Sequence, residues 1–157
     1  GLSWILNDID VARLPVQKRK LGVVFQNARL FPHMTVRENI EFAIKARGYQ
    51  ISESWEGVQR LLSRLAVDHL IERSSANLSG GEQQRLSLIR CLAGRPQFIF
   101  LDEPFSALDE SHRAEARKLV GEVLAEEGVP ALLITHDRHD VEALARHTIQ
   151  IEAGRIK

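Results

Sequence analysis

Two adjacent carboxylates form the part of the sequence best suited to chemistry. The segment FIFLDEP, residues 98–104, runs four apolar residues directly into Asp102 and Glu103. Such a run predicts a buried strand, so both carboxylates are expected at its carboxyl end, where open α/β sheets bind ligands. One carboxylate can hold Mg²⁺ while its neighbour takes a proton from an attacking water, as phosphoryl transfer to water requires. The simpler alternative is that the pair caps the following turn.

A pair of glycines in LSGGEQQR, residues 78–85, is the second candidate. Ser79 and Glu82 have the spacing of a capping box, which predicts the start of a helix. Gly80 and Gly81 let the backbone come close to an anion, and the first helical turn offers unpaired N–H groups at the positive end of the helix dipole. The segment is therefore predicted to bind phosphate. An ordinary capped helix is the alternative, and it leaves both glycines unexplained.

Three further polar residues follow apolar runs or the carboxylate pair. Gln26 ends the run LGVVFQ, where an amide usually terminates a strand but could also reach a metal or water. His136 lies in the Thr-His-Asp segment after the run ALLIT, and capping of the next helix is the simpler explanation. Asp109 closes the SALD segment and could be only a helix cap. The other five histidines have no such setting, so no function is predicted for them.

The elements that must position these residues alternate between strand and helix. This order favours a layered α/β core with a largely parallel sheet. Near-continuous apolar runs predict three central strands, covered by helices on both faces, at residues 21–26, 97–102 and 131–135. A peripheral strand is predicted over residues 4–9, and a final hairpin is predicted to begin at residues 148–151.

Three helices are predicted between the first two central strands. Thr35 and Glu38 form a capping-box pattern at the start of the first helix. An apolar stripe that begins near Ser52 predicts the second helix, and the third covers residues 79–93. The resulting division is a core of residues 1–26 and 95–157, with a helical lobe of residues 27–94 inserted between its two parts.

Composition limits the classes of function. The 157 residues suit one domain, and a hydrophobic share of 44% excludes intrinsic disorder. Because 21 basic residues balance 21 acidic ones, no general positive field attracts nucleic acid, and no nucleic-acid partner is predicted. A single cysteine and the lack of a leader predict a reducing, cytoplasmic setting. No apolar run approaches the roughly 18–20 residues of a membrane span, so none is predicted.

The order of these motifs resembles the ATP-binding cassette family. A glutamine after a strand, LSGGE, an apolar run ending in DEP, then SALD and THD follow one another as in that family, from about residue 4 to the end. The resemblance implies a P-loop NTPase-type layered sheet core with an inserted helical subdomain. It also implies ATP and Mg²⁺ as cofactors.

Carried over onto this sequence, the family pattern implies a role for each candidate residue. Asp102 would organise Mg²⁺ together with Gln26, the Q-loop glutamine, and Glu103 would be the catalytic base. His136 matches the histidine that contacts the γ-phosphate. The remaining matches would bind nucleotide, Asp109 as the D-loop aspartate and the signature residues across a dimer, namely Ser79, Gly80, Gly81 and Glu82.

One element of the family pattern does not occur. The phosphate loop G-x-x-x-x-G-K-[ST] requires a glycine followed by lysine, and none of the 10 glycines has one. Since the pattern is complete from that point on, we expect the loop to precede residue 1. We also expect these 157 residues alone to be inactive. A chain that lacks the loop by nature is the alternative.

The stretch GVVFQNARLFPHMTVRENI is similar to cassettes of bacterial importers for oxyanions, iron or polyamines. The resemblance implies an ATPase subunit that acts as a head-to-tail dimer with a second cassette. It would bind a membrane permease and lie peripherally on the inner face of the plasma membrane. The interval from Gln26 to Ser79 is too short for the coiled-coil arms of chromosome-maintenance cassettes. The sequence also leaves open an interaction module without turnover and a soluble cassette that acts on ribosomes.

Overall fold

The computed structural model describes residues 3–6, 8–106, 108 and 110–157, without the side chain of residue 111. In these residues the strands are β1 (Ile5–Leu6), β2 (Ile9–Asp10), β3 (Leu21–Val24), β4 (Phe98–Asp102), β5 (Ala131–Ile134), β6 (Ile151–Glu152) and β7 (Arg155–Ile156). The α-helices are α1 (Val36–Ala46), α2 (Ile51–Arg64), α3 (Gly80–Ala93), α4 (Glu110–Glu127) and α5 (Arg138–Leu144). Short 3₁₀ helices cover Val11–Arg13, Val16–Lys18, Asp68–Leu70 and Ser75–Asn77.

The central sheet has three parallel strands in the order β3-β4-β5. Val24 lies opposite Leu101, and Asp102 lies opposite Ile134, so the carboxyl ends of the strands share one edge. Parallel neighbours need a crossover connection, which α1, α2 and α3 supply between β3 and β4, and α4 between β4 and β5. The predicted α/β class with a parallel sheet is confirmed, although β3 ends at Val24 rather than at residue 26.

Only one face of this sheet is buried among the described residues. Val24 and Leu101 are nearly inaccessible and belong to one core cluster with side chains of α3 and α4. On the opposite face Val23, Leu132 and Ile134 are 39% to 50% exposed. The prediction of strands covered on both faces is therefore wrong for the described part of the chain, because the helices that follow β3 and β4 pack on the same face.

The amino-terminal residues form a hairpin rather than the single predicted peripheral strand. β1 and β2 pair antiparallel, with Ile5 opposite Asp10. The Asp10 carboxylate accepts hydrogen bonds from the backbone N–H groups of Trp4 and Ala12. The Trp4 ring then packs edge-on against two phenylalanines of β4, Phe98 and Phe100.

Both capping boxes predicted from the sequence are present. At α1 the Thr35 hydroxyl accepts from the Glu38 backbone N–H, and the Glu38 carboxylate accepts from the Thr35 backbone N–H at 2.8 Å. Ser79 and Glu82 make the same pair of bonds at α3. No helix in the described part of the chain is both long and apolar enough to cross a membrane.

The loop between β3 and α1 is held by a fully buried asparagine. Asn39 is 0% exposed, and its side-chain oxygen accepts from the Phe31 backbone N–H at 2.9 Å. Its amide nitrogen donates to the Phe31 and Thr35 carbonyls and to the Ser75 hydroxyl. The Ser75 hydroxyl donates to the same Phe31 carbonyl. One side chain therefore joins the loop, α1 and a 3₁₀ helix ahead of α3.

We expect Asn39→Ala to lower the free energy of unfolding by about 1–3 kcal/mol, because it removes a fully buried side chain that accepts from the Phe31 N–H and donates to two carbonyls. The measurement is urea unfolding followed by circular dichroism. Asn27→Ala, at an exposed position, is the matched control and should stay within about 0.5 kcal/mol of the parent. Equal stability of the two variants would contradict this account of the loop.

Candidate functional site

Four of the predicted site residues lie at or just beyond the carboxyl ends of the three parallel strands. Asp102 is the last residue of β4, and Glu103 comes directly after it. His136 lies two positions beyond β5, and Gln26 lies two positions beyond β3 on an exposed loop. The parallel register therefore gathers these residues at one edge of the sheet.

Glu103 and His136 are in direct contact. Oε1 of Glu103 accepts from the His136 backbone N–H at 3.1 Å and lies 2.6 Å from the His136 ring Nδ1. The backbone N–H of Glu103 donates to the Ile134 carbonyl of β5 at 2.9 Å, which extends the strand pairing to the site. Motif order singled out both residues but did not predict that they touch.

Glu103 has a backbone φ of +46°, a left-handed conformation that is uncommon for a residue with a Cβ. The Ser106 hydroxyl donates to the Glu103 carbonyl at 2.9 Å and helps to hold this conformation. Such strain persists where surrounding bonds impose it and is concentrated at functional sites. It turns the chain sharply after β4 and leaves the Glu103 side chain beside the end of β5.

The electrostatic consequence of the contact falls on the histidine. The hydrogen bond with Glu103, and then the negative charge of that carboxylate, raise the pKa of His136 above its usual value. The charges of Asp137 and Asp140 act in the same direction. The His136 side chain is 84% exposed and Glu103 is 20% exposed, so the imidazole faces solvent while the carboxylate lies behind it.

The Asp102 carboxylate is available to bind a cation. It makes no hydrogen bond or ion pair with any described residue, although it is half-buried. Mg²⁺ takes oxygen ligands and commonly binds through one or two carboxylates together with substrate phosphates and water. The Asp102 carboxylate and the Gln26 amide both carry oxygen atoms of this kind. In the described residues no group of three His, Cys, Asp or Glu side chains could hold a metal by itself.

In the signature segment Ser79 and Glu82 bind each other. The Ser79 backbone N–H and hydroxyl both donate to Oε2 of Glu82, at 2.6 Å and 2.8 Å. These bonds, the backbone one first, lower the pKa of Glu82. The predicted nucleotide-binding carboxylate is therefore engaged as a helix cap in this structure.

The two signature glycines are the first residues of α3, and neither has a positive φ. Space at Gly81 is limited: a Cβ there would lie 3.2 Å from a methyl carbon of Leu108, whose side chain would have to shift slightly. Ser79, Gly80 and Gly81 line a cavity of about 350 Å³ between α3 and α4. Gly80 also lines a cavity of about 270 Å³ that it shares with Gln26.

The structure thus joins the predicted site residues in two groups. Glu103 contacts His136 beside Asp102, and Gln26 shares a cavity with Gly80. Within the described residues no hydrogen bond or ion pair connects the two groups. The predicted D-loop residue, Asp109, lies outside the described residues.

Sequence reasoning missed a buried ion-pair group behind His136. Arg117 of α4 contacts Asp137 and Asp140, and both Arg117 and Asp140 are at least 94% buried at the side chain. Asp137 was considered only as a possible helix cap, which it also is. A buried arginine inside a helix leaves no periodic signal, since the carboxylates that it binds are 20 and 23 positions away.

Comparison with known proteins decides the family. Residues 4–106 match the profile of ABC transporters, about two thirds of the chain. The chain belongs to the ABC transporter family. Membership confirms the P-loop NTPase-type fold class, and with it the resemblance seen in the motif order.

Among its curated relatives, this ABC transporter chain is similar to three import proteins. It is 40% identical over 148 residues to a sulfate/thiosulfate import ATP-binding protein of Nocardia farcinica, covering 94% of this chain and 45% of the relative. It is 42% identical over 144 residues to an Fe(3+) ions import ATP-binding protein of Pseudomonas fluorescens, with coverages of 91% and 40%. It is 38% identical over 146 residues to a spermidine/putrescine import ATP-binding protein of Pseudomonas fluorescens, covering 93% of this chain and 40% of the relative. The chain spans less than half of the length of these relatives.

We expect the Glu103→Gln substitution to lower the pKa of His136, because it removes the carboxylate whose hydrogen bond and negative charge raise that pKa. A raised folded-state pKa means that the contact stabilises the fold below the unfolded-state pKa and loses that effect as pH rises through the folded-state value. The measurement is an NMR titration of the His136 ring. Glu142→Gln, which removes a carboxylate next to His139 instead, is the control. Superimposable His136 titrations in the parent and the Glu103→Gln protein would contradict the contact.

Proposed function

We propose that this chain carries the ATP-hydrolysing site of a subunit that powers an ABC transporter importing a small solute. The observation that carries the proposal is the contact of Glu103 with His136 directly after Asp102, at the shared carboxyl edge of β4 and β5. In this proposal Glu103 is the base, His136 is a cation that donates through its ring N–H groups, and Asp102 is the carboxylate that binds the metal. Each of these groups can assist the hydrolysis of a phosphoanhydride, through proton transfer, charge stabilisation or metal binding.

Glu103 is proposed as the base that takes a proton from the attacking water. Among its described contacts only Oε1 is engaged, by the backbone N–H and ring nitrogen of His136. The second oxygen, Oε2, is therefore left to accept a proton from water. Because the pKa of His136 is raised, the ring is held more readily as an imidazolium. Its Nδ1–H can donate to Glu103 while Nε2–H donates to the γ-phosphate, where charge develops during transfer.

Asp102 and Gln26 are the residues that would hold Mg²⁺, which when bound neutralises charge on the phosphate oxygens. Asp102 supplies a carboxylate free of described protein partners, and Gln26 supplies an exposed amide. Two protein contacts leave most ligand positions to phosphate and water. ATP would thus be bound together with the metal rather than after it.

The signature residues are proposed to meet the nucleotide of a second subunit in a head-to-tail dimer. Ser79, Gly80 and Gly81 surround the amino end of α3, a helix of 14 residues whose unpaired N–H groups favour an anion. Glu82 adds a negative charge at that end. Its carboxylate accepts hydrogen bonds from the backbone N–H and the hydroxyl of Ser79. Asp109 is proposed to contact the nucleotide across the same interface.

A membrane permease is the proposed second partner, and the three relatives described above are import ATP-binding proteins. The loop after β3 exposes Phe25, and α1 exposes Phe42, at 43% and 47%. Phe42 packs edge-on against Phe31, which Arg90 covers from α3. Phe42 and Phe31 thus form an apolar surface where α1 meets the loop that Asn39 holds, and this surface suits a short helix of the permease. The subunit would then lie in the cytoplasm on the inner face of the plasma membrane.

In a protein that carries a G-x-x-x-x-G-K-[ST] segment upstream of residue 1, we expect Glu103→Gln to retain ATP binding and to reduce kcat about 10²–10⁴-fold, the usual contribution of a general base. His136→Ala should also reduce kcat strongly, since a γ-phosphate contact is lost. Phosphate release measures turnover, and Glu127→Gln, an exposed residue at the end of α4, is the control. Turnover within threefold of the parent in Glu103→Gln would exclude Glu103 as the base.

We expect Gly81→Asp to block ATP-driven dimer formation by the Glu103→Gln form of that protein, because a carboxylate at the signature would repel the γ-phosphate. Light scattering with and without Mg·ATP measures the dimer. Gly57→Asp is the matched control, since a Cβ at that position in α2 meets only the end of the Arg60 side chain, at 3.8 Å. Dimers that persist in the Gly81→Asp protein would contradict the contact across the interface.

A further inference from the structure

A buried arginine ties the segment that contains His136 to α4. Arg117 is 5% exposed, and its Nε donates to Oδ1 of Asp140 at 2.5 Å. Its Nη2 donates to Oδ2 of Asp137 at 2.7 Å. A single guanidinium therefore joins two carboxylates, one directly after His136 and one three positions further on. The planar fork of arginine suits this double contact, whereas a lysine offers one compact ammonium group.

The two carboxylates in turn hold the backbone on both sides of His136. The Thr135 hydroxyl donates to Oδ2 of Asp140 at 2.8 Å and accepts from the Asp137 backbone N–H at 3.1 Å. Oδ1 of Asp137 accepts from the backbone N–H of His139 at 2.9 Å and so caps α5. Both neighbours of His136 are thus bonded into one network, and His136 itself reaches Glu103.

The charges around the guanidinium come from two elements. From α4, Glu110 approaches Arg117 to 3.9 Å, and Arg113 approaches Asp137 to 3.8 Å. The two carboxylates that Arg117 binds are Asp140, on α5, and Asp137, the residue before α5. A buried ion pair contributes little net stability compared with apolar residues of similar volume, because both charges lose their hydration. Apolar residues in place of this ion-pair group could not make directional hydrogen bonds to the turn around His136.

We propose that Arg117 is a positioning residue, which acts through Asp137 and Asp140 to hold His136 against Glu103. The proposed role requires no contact between Arg117 and the nucleotide. The expected effect on turnover rests on the proposed ATP hydrolysis. The tether, which is the contact of Arg117 with Asp137 and Asp140, can be measured without hydrolysis.

The first test measures the tether in the 157-residue chain. The backbone amide of His136 donates to Glu103, so its NMR shift and hydrogen-exchange rate report the contact. Glu103→Ala provides the signature of a lost contact. Arg117→Lys, which keeps the charge, is expected to reproduce that shift and to speed exchange about tenfold or more, as opening of the turn requires. The matched control is Arg64→Lys, because Arg64 also joins two carboxylates, Glu122 and Glu126, but lies on α2.

The second test measures turnover in the protein with the upstream phosphate loop. Arg117→Lys should lower kcat up to about 10²-fold, the effect of a small misplacement of a catalytic group, and leave KM for Mg·ATP within about twofold. Arg64→Lys should match the parent. Should Arg117→Lys fail to fold, Asp140→Asn weakens the same contact at nearly equal volume and is expected to give the same pattern.

A His136 amide in Arg117→Lys or Asp140→Asn that matches the parent would overturn the inference. A variant could lose the hydrogen bond of the His136 amide and still keep the parent kcat. If His136→Ala is inactive at the same time, that result would overturn the positioning role alone. Full turnover by His136→Ala would instead overturn the proposed role of His136, while the amide measurement still decides whether Arg117 holds the turn.

Discussion

The parallel pairing of β4 with β5 is the constraint on which the candidate site depends. Because Asp102 lies opposite Ile134, the next backbone N–H, that of Glu103, continues the pairing to the Ile134 carbonyl. The chain then turns, and the Glu103 carboxylate meets His136 two positions after β5. A slip of one residue would send every side chain of the slipped strand to the opposite face of the sheet and remove this contact. Register in the buried core therefore sets the geometry at the edge.

The core that imposes this register covers one face of the sheet. Val24, Ile99 and Leu101 are at most 2% exposed and belong to one cluster with residues of all four longer helices. The opposite face is partly covered by Trp4 against the β4 phenylalanines. Apolar burial on the covered face supplies the non-directional driving force, and the hydrogen bonds at the edge supply direction.

Polar contacts connect the inserted helices with the rest of the fold. Asn39 holds the loop that follows β3, and Arg90 of α3 donates to the Ala28 carbonyl of that loop. On the outer side Arg64 of α2 binds two glutamates of α4. Because the Asn39 side chain is fully buried, water cannot readily replace the hydrogen bonds that it makes with the loop. The exposed ion pairs contribute less, since water screens them.

The sequence by itself determined the local features of the structure, but not the long-range contacts. The capping boxes of α1 and α3 were predictable because a cap joins residues three positions apart, and the central strands because apolar runs mark burial. Motif order also identified the family and the residue types at the carboxyl edge. The end of β3 at Val24 and the exposed sheet face were not evident at that level.

Only the tertiary structure decided that Glu103 touches His136, 33 positions away, and that Arg117 binds Asp140, 23 positions away. Those contacts depend on the register of β4 and β5 and on the packing of α4 against α5. The elements and motifs follow from neighbours along the chain, whereas these contacts join residues that are distant in sequence. A hydrogen bond tolerates only a few tenths of an ångström, and no pattern of residue types specifies atomic positions to that precision.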